Sequence, residues 1–230
     1  MLTFISYASS SKGNLHEITD SHSRIMVDCG LTWRRAREAM FFATSGINGV
    51  VATHAHSDHS KGLADAGRSG LECYALPETL GALSLQGHRF HPIKPFQQFV
   101  IGTFTVKAFP LEHDVPNVGF LFCNREGEKA IYITDSAYCR FKFGSGLRII
   151  AIECNFSKDT LSPNLDIAVR NRLYSTHMSL DTVKGFLQAN DISQVESIHL
   201  LHLSSRNSDS ELFKREIERA TGKPVTICGS

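Results

Sequence analysis

Apolar residues in this chain fall into short runs punctuated by polar turns, and the spacing within each run predicts its element. Residues 2–7, 16–20 and 24–28 read as three opening strands. Thr32 is placed to cap a helix over Trp33 to Phe42, since a threonine hydroxyl accepts from amides that a helix start leaves unpaired. The stretch Gly49-Val50-Val51-Ala52 predicts a strand over 49–53, and a short helix begins near Ser60. Pro77 at a first turn predicts a helix reaching Leu83. Five β-like runs follow: Phe99 to Ile101, Phe104 to Phe109, Val118 to Cys123, Ala130 to Thr134 and Arg148 to Ile152. Helical patterning covers 160–173 and 179–189, then a strand from Ser197 to Leu201, a helix over 209–220 and a closing strand from Pro224 to Ile227. Two successive mixed blocks of this kind predict an α/β protein in which two sheets pack together with helices outside.

Polar motifs sit where the apolar runs stop. His54 follows Val50-Val51, Asp135 follows Ile131-Tyr132-Ile133, Glu153 follows Ile149 to Ile152, and His202 follows Leu200-Leu201. Strand ends converge on one edge of a sandwich, so a single polar site there accounts for all four. The densest motif is Ala52-Thr53-His54-Ala55-His56-Ser57-Asp58-His59, with three imidazoles and a carboxylate between His54 and His59. Neutral imidazoles and carboxylates are ligands for zinc, manganese and iron. His54 and His56, two apart, project to the same side of an extended backbone and share one ion. Asp58 and His59, further around the turn, reach a second. The cluster is read as a metal site.

This H-x-H-x-D-H pattern resembles the signature of the metallo-β-lactamase fold superfamily. Ser9-Ser10-Ser11-Lys12-Gly13-Asn14 and Met26-Val27-Asp28-Cys29-Gly30 look like its opening strands. His113-Asp114, Thr134-Asp135, Glu153-Cys154-Asn155, Thr176-His177-Met178-Ser179 and Leu201-His202-Leu203-Ser204 follow in the expected order. The ordered set is similar to the nuclease and phosphodiesterase side of the superfamily, nearest its WalJ/YycJ-like branch. The resemblance implies a four-layer αββα sandwich. It assigns His54, His56 and His113 to one divalent ion, Asp58, His59 and His202 to a second, and Asp135 to both; the ions are zinc or manganese, with iron as a further option. It also implies that His177 faces a phosphate or donates a proton, so that Asp58 and His177 are the expected catalytic residues. Two departures are visible. Ser204-Ser205-Arg206-Asn207-Ser208-Asp209 retains only part of the polar loop expected after His202. Phe156-Ser157-Lys158-Asp159 stands where branch members often carry a histidine and an aspartate.

Elementary chemistry supports the same reading. Two cations close together need a bridging anion, which Asp135 supplies, and together they lower the pKa of a trapped water toward about 7, yielding hydroxide. His199 and His202 are three apart, so on one strand they face opposite sides. His202 sits in the H-L-S motif and is taken as the ligand, leaving His199 to packing or ligand support. Glu153 and Asn155 are read as orienting ligands, Asp28 and Asn14 as tying loops beneath the ions, and Ser179 and Ser204 as offering hydroxyls or helix-end amides to a phosphate. His16, His22, His88 and His91 lack motif context and are expected at the surface or in loops.

Composition bounds the rest. The 230 residues, 42% hydrophobic and 20% charged, suit one soluble globular domain over 1–230. No apolar run approaches the roughly 18 residues of a membrane helix, and the amino terminus lacks a basic-then-apolar leader. Six scattered cysteines without a C-x-x-C pair predict reduced thiols and a cytoplasmic location. A net charge of +1 argues against a non-specific nucleic-acid coat. Lys12, Lys61, Arg68, Lys158 and Arg206 lie near the motifs, Lys12 and Arg206 within motif loops, while Arg34, Arg35 and Arg37 read as a solvated helix face. The expected function is a dinuclear metal-dependent hydrolase, a phosphodiesterase or nuclease acting on DNA through metal-activated hydroxide. The alternative is hydrolysis of a small cyclic nucleotide, then of a thioester or lactam; a non-catalytic or redox module is the reading of a different class. A phosphodiester substrate, DNA or nucleotide, is the expected partner.

Overall fold

A computed structural model describes residues 1–229. Its strands divide into two sheets. Strands β1 (Thr3–Ser10), β2 (Gly13–Thr19), β3 (Arg24–Val27), β4 (Ile47–Val51), β5 (Cys73–Ala75) and β6 (Phe90–Pro92) form a six-stranded sheet in sequence order. A seven-stranded sheet takes β7 (Gln98–Ile101), β8 (Phe104–Leu111), β9 (Asn117–Cys123), β10 (Lys129–Ile133), β11 (Leu147–Glu153), β12 (Ser197–Leu201) and β13 (Val225–Ile227), again in sequence order. Each sheet begins antiparallel and becomes parallel, from β3 onward in the first and from β10 onward in the second.

Three apolar clusters explain the layering. One lies between the sheets, with Phe4, Ile18, Val27, Phe104, Phe120, Phe122 and Tyr132 among its members. A second covers the outer face of the first sheet beneath α1 (Trp33–Ala39), α3 (Leu63–Arg68) and α4 (Pro77–Ala82). The third covers the outer face of the second sheet beneath α6 (Leu180–Ala189) and α7 (Ser210–Thr221). Helices, two sheets and helices make the four αββα layers that the sequence implied.

Several boundaries differ from the sequence reading. The helix opening at Trp33 ends at Ala39, because Phe41 and Phe42 adopt left-handed backbone, φ 51° and 59°. The helix expected over 160–173 is α5, Ile167–Thr176. Asp166 caps it, its carboxylate accepting from the amides of Ala168 and Val169, and Pro163 keeps the preceding residues in turns. The short helix near Ser60 is α2, Ser57–Ser60, immediately followed by α3. Strands β5 and β6 were not anticipated; at three residues each they are too short to carry a period. His16 is a correction. It lies in the interior strand β2, wholly buried between Phe4 and Tyr132, because β2 is covered on both faces and shows no polar alternation.

Candidate metal centre

Most of the polar motifs reach one edge of the sandwich because they follow the carboxyl ends of parallel strands. Asp28 follows β3, the His54–His59 loop follows β4, Asp135 follows β10, Glu153 closes β11 and His202 follows β12. His113 arrives from the β8–β9 turn. Asp28, Asp135 and His202 all hold left-handed backbone, with φ of 60°, 48° and 51°. Such conformations are costly for residues with a Cβ and persist where surrounding contacts impose them. Those contacts are present. Asn117 Nδ2 donates to the carbonyls of Thr134 and Asp135, at 3.1 and 2.7 Å. The His202 amide donates to Ser9 Oγ at 2.9 Å and its carbonyl accepts from Asn155 Nδ2 at 2.8 Å.

Seven side chains meet at this edge in two sets that share Asp135, and a third set, Asp135, Glu153, His177 and His202, adjoins them. His54, His56, His113 and Asp135 offer ligand atoms within 4.8 Å of one another, and so do Asp58, His59, Asp135 and His202. Around Asp135, the nitrogen to oxygen separations are 3.3 Å to His59, 3.6 Å to His54 and to His202, and 3.9 Å to His113. His56 Nδ1 is 3.3 Å from His113 Nε2, and Asp58 is 3.4 Å from His202. Most of these spacings are long for hydrogen bonds. They match the edges of a coordination shell, about 3.3 Å for a tetrahedron with ligands at 2.0–2.1 Å.

A second observation fits an ion. His54 Nε2 is buried with no hydrogen-bond partner, while its Nδ1 lies 3.0 Å from Thr53 Oγ1. An orphaned buried nitrogen aimed at three other ligand atoms suits a divalent cation. The outward ring nitrogens are fixed by neighbours, which sets the tautomer. His59 Nδ1 is 2.7 Å from Asp28 Oδ2, and His113 Nδ1 is 3.2 Å from the Thr176 carbonyl. Asp28 is itself locked by the Thr53 amide at 2.8 Å and the Tyr132 hydroxyl at 3.1 Å. Asn14 Nδ2 donates to the Ser10 and Asp58 carbonyls, tying the β1–β2 turn to the histidine loop.

Electrostatics divides the histidines. Burial lowers the pKa of His54 and His113, leaving them neutral donors of a lone pair. Burial opposes charge on His59 and His202 too, but the carboxylates outweigh it, Asp135 and Asp28 for the first and Asp135 and Asp58 for the second, and both pKa values are raised. Burial would raise Asp135, yet His202 and His59 hold it well below the carboxylate range. The site therefore keeps its anions, and the carboxylates favour protons on two of the histidines that an ion would claim.

His177 ends α5 and stands beside this cluster, its ring stacked on His202 at 5.5 Å. Its Nδ1 lies 2.5 Å from Glu153 Oε1, and although burial works against the charge, Glu153 raises the pKa to about 9. Phe156, at the position of the absent histidine, is buried and packs edge-on against Tyr174, so it fills core and offers nothing to the site. Ser179 caps α6, its hydroxyl accepting from the Thr182 amide. Ser204 Oγ accepts from the Asn207 amide at 3.2 Å, within its own turn. His199 Nε2 meets Ser197 Oγ, and its ring packs on Phe4, away from the cluster.

The cavity at the centre, about 300 Å³, is lined by Ser11, Asp58, Asp135, Arg172, His177 and His202 together with His56, Ser57 and His113. Arg172 is the one arginine or lysine in that lining. Lys12, Lys61, Arg68, Lys158 and Arg206 are not in it; Arg68 is ion-paired with Asp65. Sequence reading overlooked Arg172, which lies on an exposed helix with no motif around it. It overlooked Thr176 and Asn117 as well, one acting through a backbone carbonyl and the other on two.

The chain is similar to known proteins in sequence and in fold. A family model described as "Beta-lactamase superfamily domain" matches residues 23–203. The chain is 26% identical over 237 residues to the exodeoxyribonuclease YycJ of Bacillus anthracis, covering 95% of this chain and 88% of the relative. It is 22% identical to the exodeoxyribonuclease WalJ of Streptococcus pneumoniae, covering 89% and 82%. Among solved structures, the metallo-beta-lactamase fold protein YhfI of Bacillus subtilis superposes with a TM-score of 0.76 at 17% identity, over 100% of this chain and 96% of that one.

Proposed function

This chain belongs to the beta-lactamase superfamily, and we propose that within it the chain is a metal-dependent phosphodiesterase acting as a nuclease on DNA. The observation that carries this is Asp135, a buried carboxylate common to two histidine-rich ligand sets. His54, His56 and His113 would hold one divalent ion and Asp58, His59 and His202 the other, both sharing Asp135, with zinc or manganese preferred and iron possible. When bound, such ions supply positive charge to a phosphoryl oxygen and bring the pKa of water near neutrality.

The chain's own residues do the rest. Asp58, kept ionised by His202 against the opposing effect of burial, faces the cavity and accepts a hydrogen bond from the attacking water, fixing its direction. Protonated His177, positioned by Glu153, hands its proton to the leaving alkoxide, which otherwise departs as a poor anion. Arg172 adds a fixed positive charge at the mouth for a phosphate. The two exodeoxyribonucleases similar over most of the chain support DNA as the substrate. We assign the whole of 1–230 to one catalytic domain, and the scattered cysteines support a reducing, cytoplasmic setting. No helix of the described residues is long and apolar enough to cross a membrane.

Metal-loaded protein incubated with bis(p-nitrophenyl) phosphate is expected to release nitrophenol, with Asp135→Asn and His54→Ala reducing the rate at least about 10³-fold, as loss of transition-state stabilisation demands. End-labelled single-stranded and duplex DNA should be degraded, and a cyclic nucleotide spared. Cleavage of an acyl-glutathione with the diester untouched would overturn the assignment.

A further inference from the structure

Between Ile133 and Leu147 the chain runs without helix or strand, and one part of it has a regular pattern. Tyr138, Arg140 and Lys142 are exposed, whereas Cys139, Phe141 and Phe143 are partly buried and pack against the core of the second sheet. That alternation is what an extended backbone gives. The inward residues anchor it firmly. Phe141 and Phe143 both pack on Phe109, at 5.8 and 5.0 Å, Phe143 also meets Phe186, and the Phe143 amide donates to Asn190 Oδ1 at 2.7 Å. The outward row therefore reads tyrosine, arginine, lysine on a fixed support.

Its near end is tied to the metal centre. Three residues before Tyr138 stands Asp135, and between them the Ser136 amide donates to Glu153 Oε2 at 3.1 Å while Ser136 Oγ donates to the Tyr138 carbonyl. The Ala137 amide donates to the carbonyl of Glu112, the neighbour of His113, and the Glu112 carboxylate accepts from Arg140 at 2.6 Å. From there a cavity of about 300 Å³ runs between the strip and α6, from Thr182 near the first turn to Asn190 just past the last. Two cations and a tyrosine line it, and no carboxylate does. Lys142 forms no ion pair among the described residues.

Resting on the nuclease reading above, we infer that Tyr138, Arg140 and Lys142 form a track for the single-stranded segment of a DNA substrate that extends from the metal centre along α6. Cations at alternate positions of an extended chain are about 6.6 Å apart. Neighbouring phosphates on one strand are separated through space by a comparable distance, so each cation can meet one phosphate, and the preference for a strand pulled out of its stack comes from the tyrosine. Tyr138 supplies the π-face on which an unstacked base rests, and this contact tolerates any base. Arg140, held in place by Glu112, and Lys142 meet successive phosphates.

The test is a binding titration alongside a small-diester assay, both on metal-loaded protein. The titration uses a fluorescein-labelled single-stranded phosphorothioate oligonucleotide, which resists cleavage. Tyr138→Ala should weaken binding about tenfold, while Tyr138→Phe retains it. Lys142→Ala, which touches no residue of the metal centre, should reduce the slope of log affinity against log salt by about 0.7, and Arg140→Gln with Lys142→Ala by about 1.4. Turnover of bis(p-nitrophenyl) phosphate, which has no strand to lay in the track, should be unchanged in Tyr138→Ala and Lys142→Ala. Equal affinity and salt slope in wild type and variants, absence of oligonucleotide binding by wild type, or duplex binding as tightly as single strand would each overturn the track. Failure of wild type to cleave the small diester would instead defeat the hydrolase reading itself.

Discussion

Glu153 and His177 show how one contact sets a residue's chemistry. An imidazole this buried would ordinarily lose its proton below 6.5, yet the carboxylate 2.5 Å away raises the pKa to about 9. A group that must be protonated to act works below its pKa and fails above it. Activity of the metal-loaded protein is thus expected to hold through neutral pH and to fall as pH rises past about 9. Glu153→Gln removes the charge and leaves the burial, so in that variant the alkaline limb of the pH–rate profile moves below about 7; an unmoved limb would take His177 out of proton transfer. At this scale the seven residues that meet were legible because metal chemistry restricts candidates to a few residue types in a fixed order. Arg172 was not, since an arginine on a solvated helix looks like any other. Thr176 was hidden for a different reason: it holds His113 through its carbonyl, an atom every residue possesses.

At the scale of elements, short loops after parallel strands carry the site, and tight approach between them fixes it. Gly30, just beyond β3, lies so close to the histidine loop that a Cβ added there would sit 1.7 Å from the Asp58 carbonyl oxygen. The contact is with backbone, so neither side can rotate away. Gly30→Ala is expected to cost about 3 kcal/mol or more, measured by urea unfolding of metal-free protein; a loss below about 1 kcal/mol would mean the loop shifts freely. Long elements with a clear period, such as β8, β9 and α7, were readable from the sequence. Strands β5 and β6 were not, because three residues define no alternation, and their pairing is set by neighbours distant in the chain. The helix α5 starts later than its pattern predicts because Pro163 and Asp166 together delay it to Ile167. His16 misled because a strand covered on both faces gives a polar residue no outward side to signal.

Taken whole, the molecule joins two similar halves, each turning from antiparallel to parallel, and gathers anions and imidazoles at one edge. That edge has an orphaned His54 nitrogen and two histidines whose pKa values are raised by their carboxylate neighbours. Ions that bind only the folded arrangement would compete with those protons, so affinity is expected to rise with pH and the fold to gain stability in proportion. With free metal at about 1,000 times Kd the gain is about 4 kcal/mol, which for a chain of this size raises Tm by roughly 10 °C. Calorimetry before and after chelation should record that fall, and an unchanged Tm would argue that the ligands do not meet around bound metal.

The shared role of Asp135 is tested most directly by anomalous diffraction from zinc-loaded crystals at the zinc absorption edge. Two peaks about 3.5–4 Å apart are expected, one bounded by His54, His56 and His113, the other by Asp58, His59 and His202, with an Asp135 oxygen in contact with each. A single peak, or a pair of which only one touches Asp135, would contradict it.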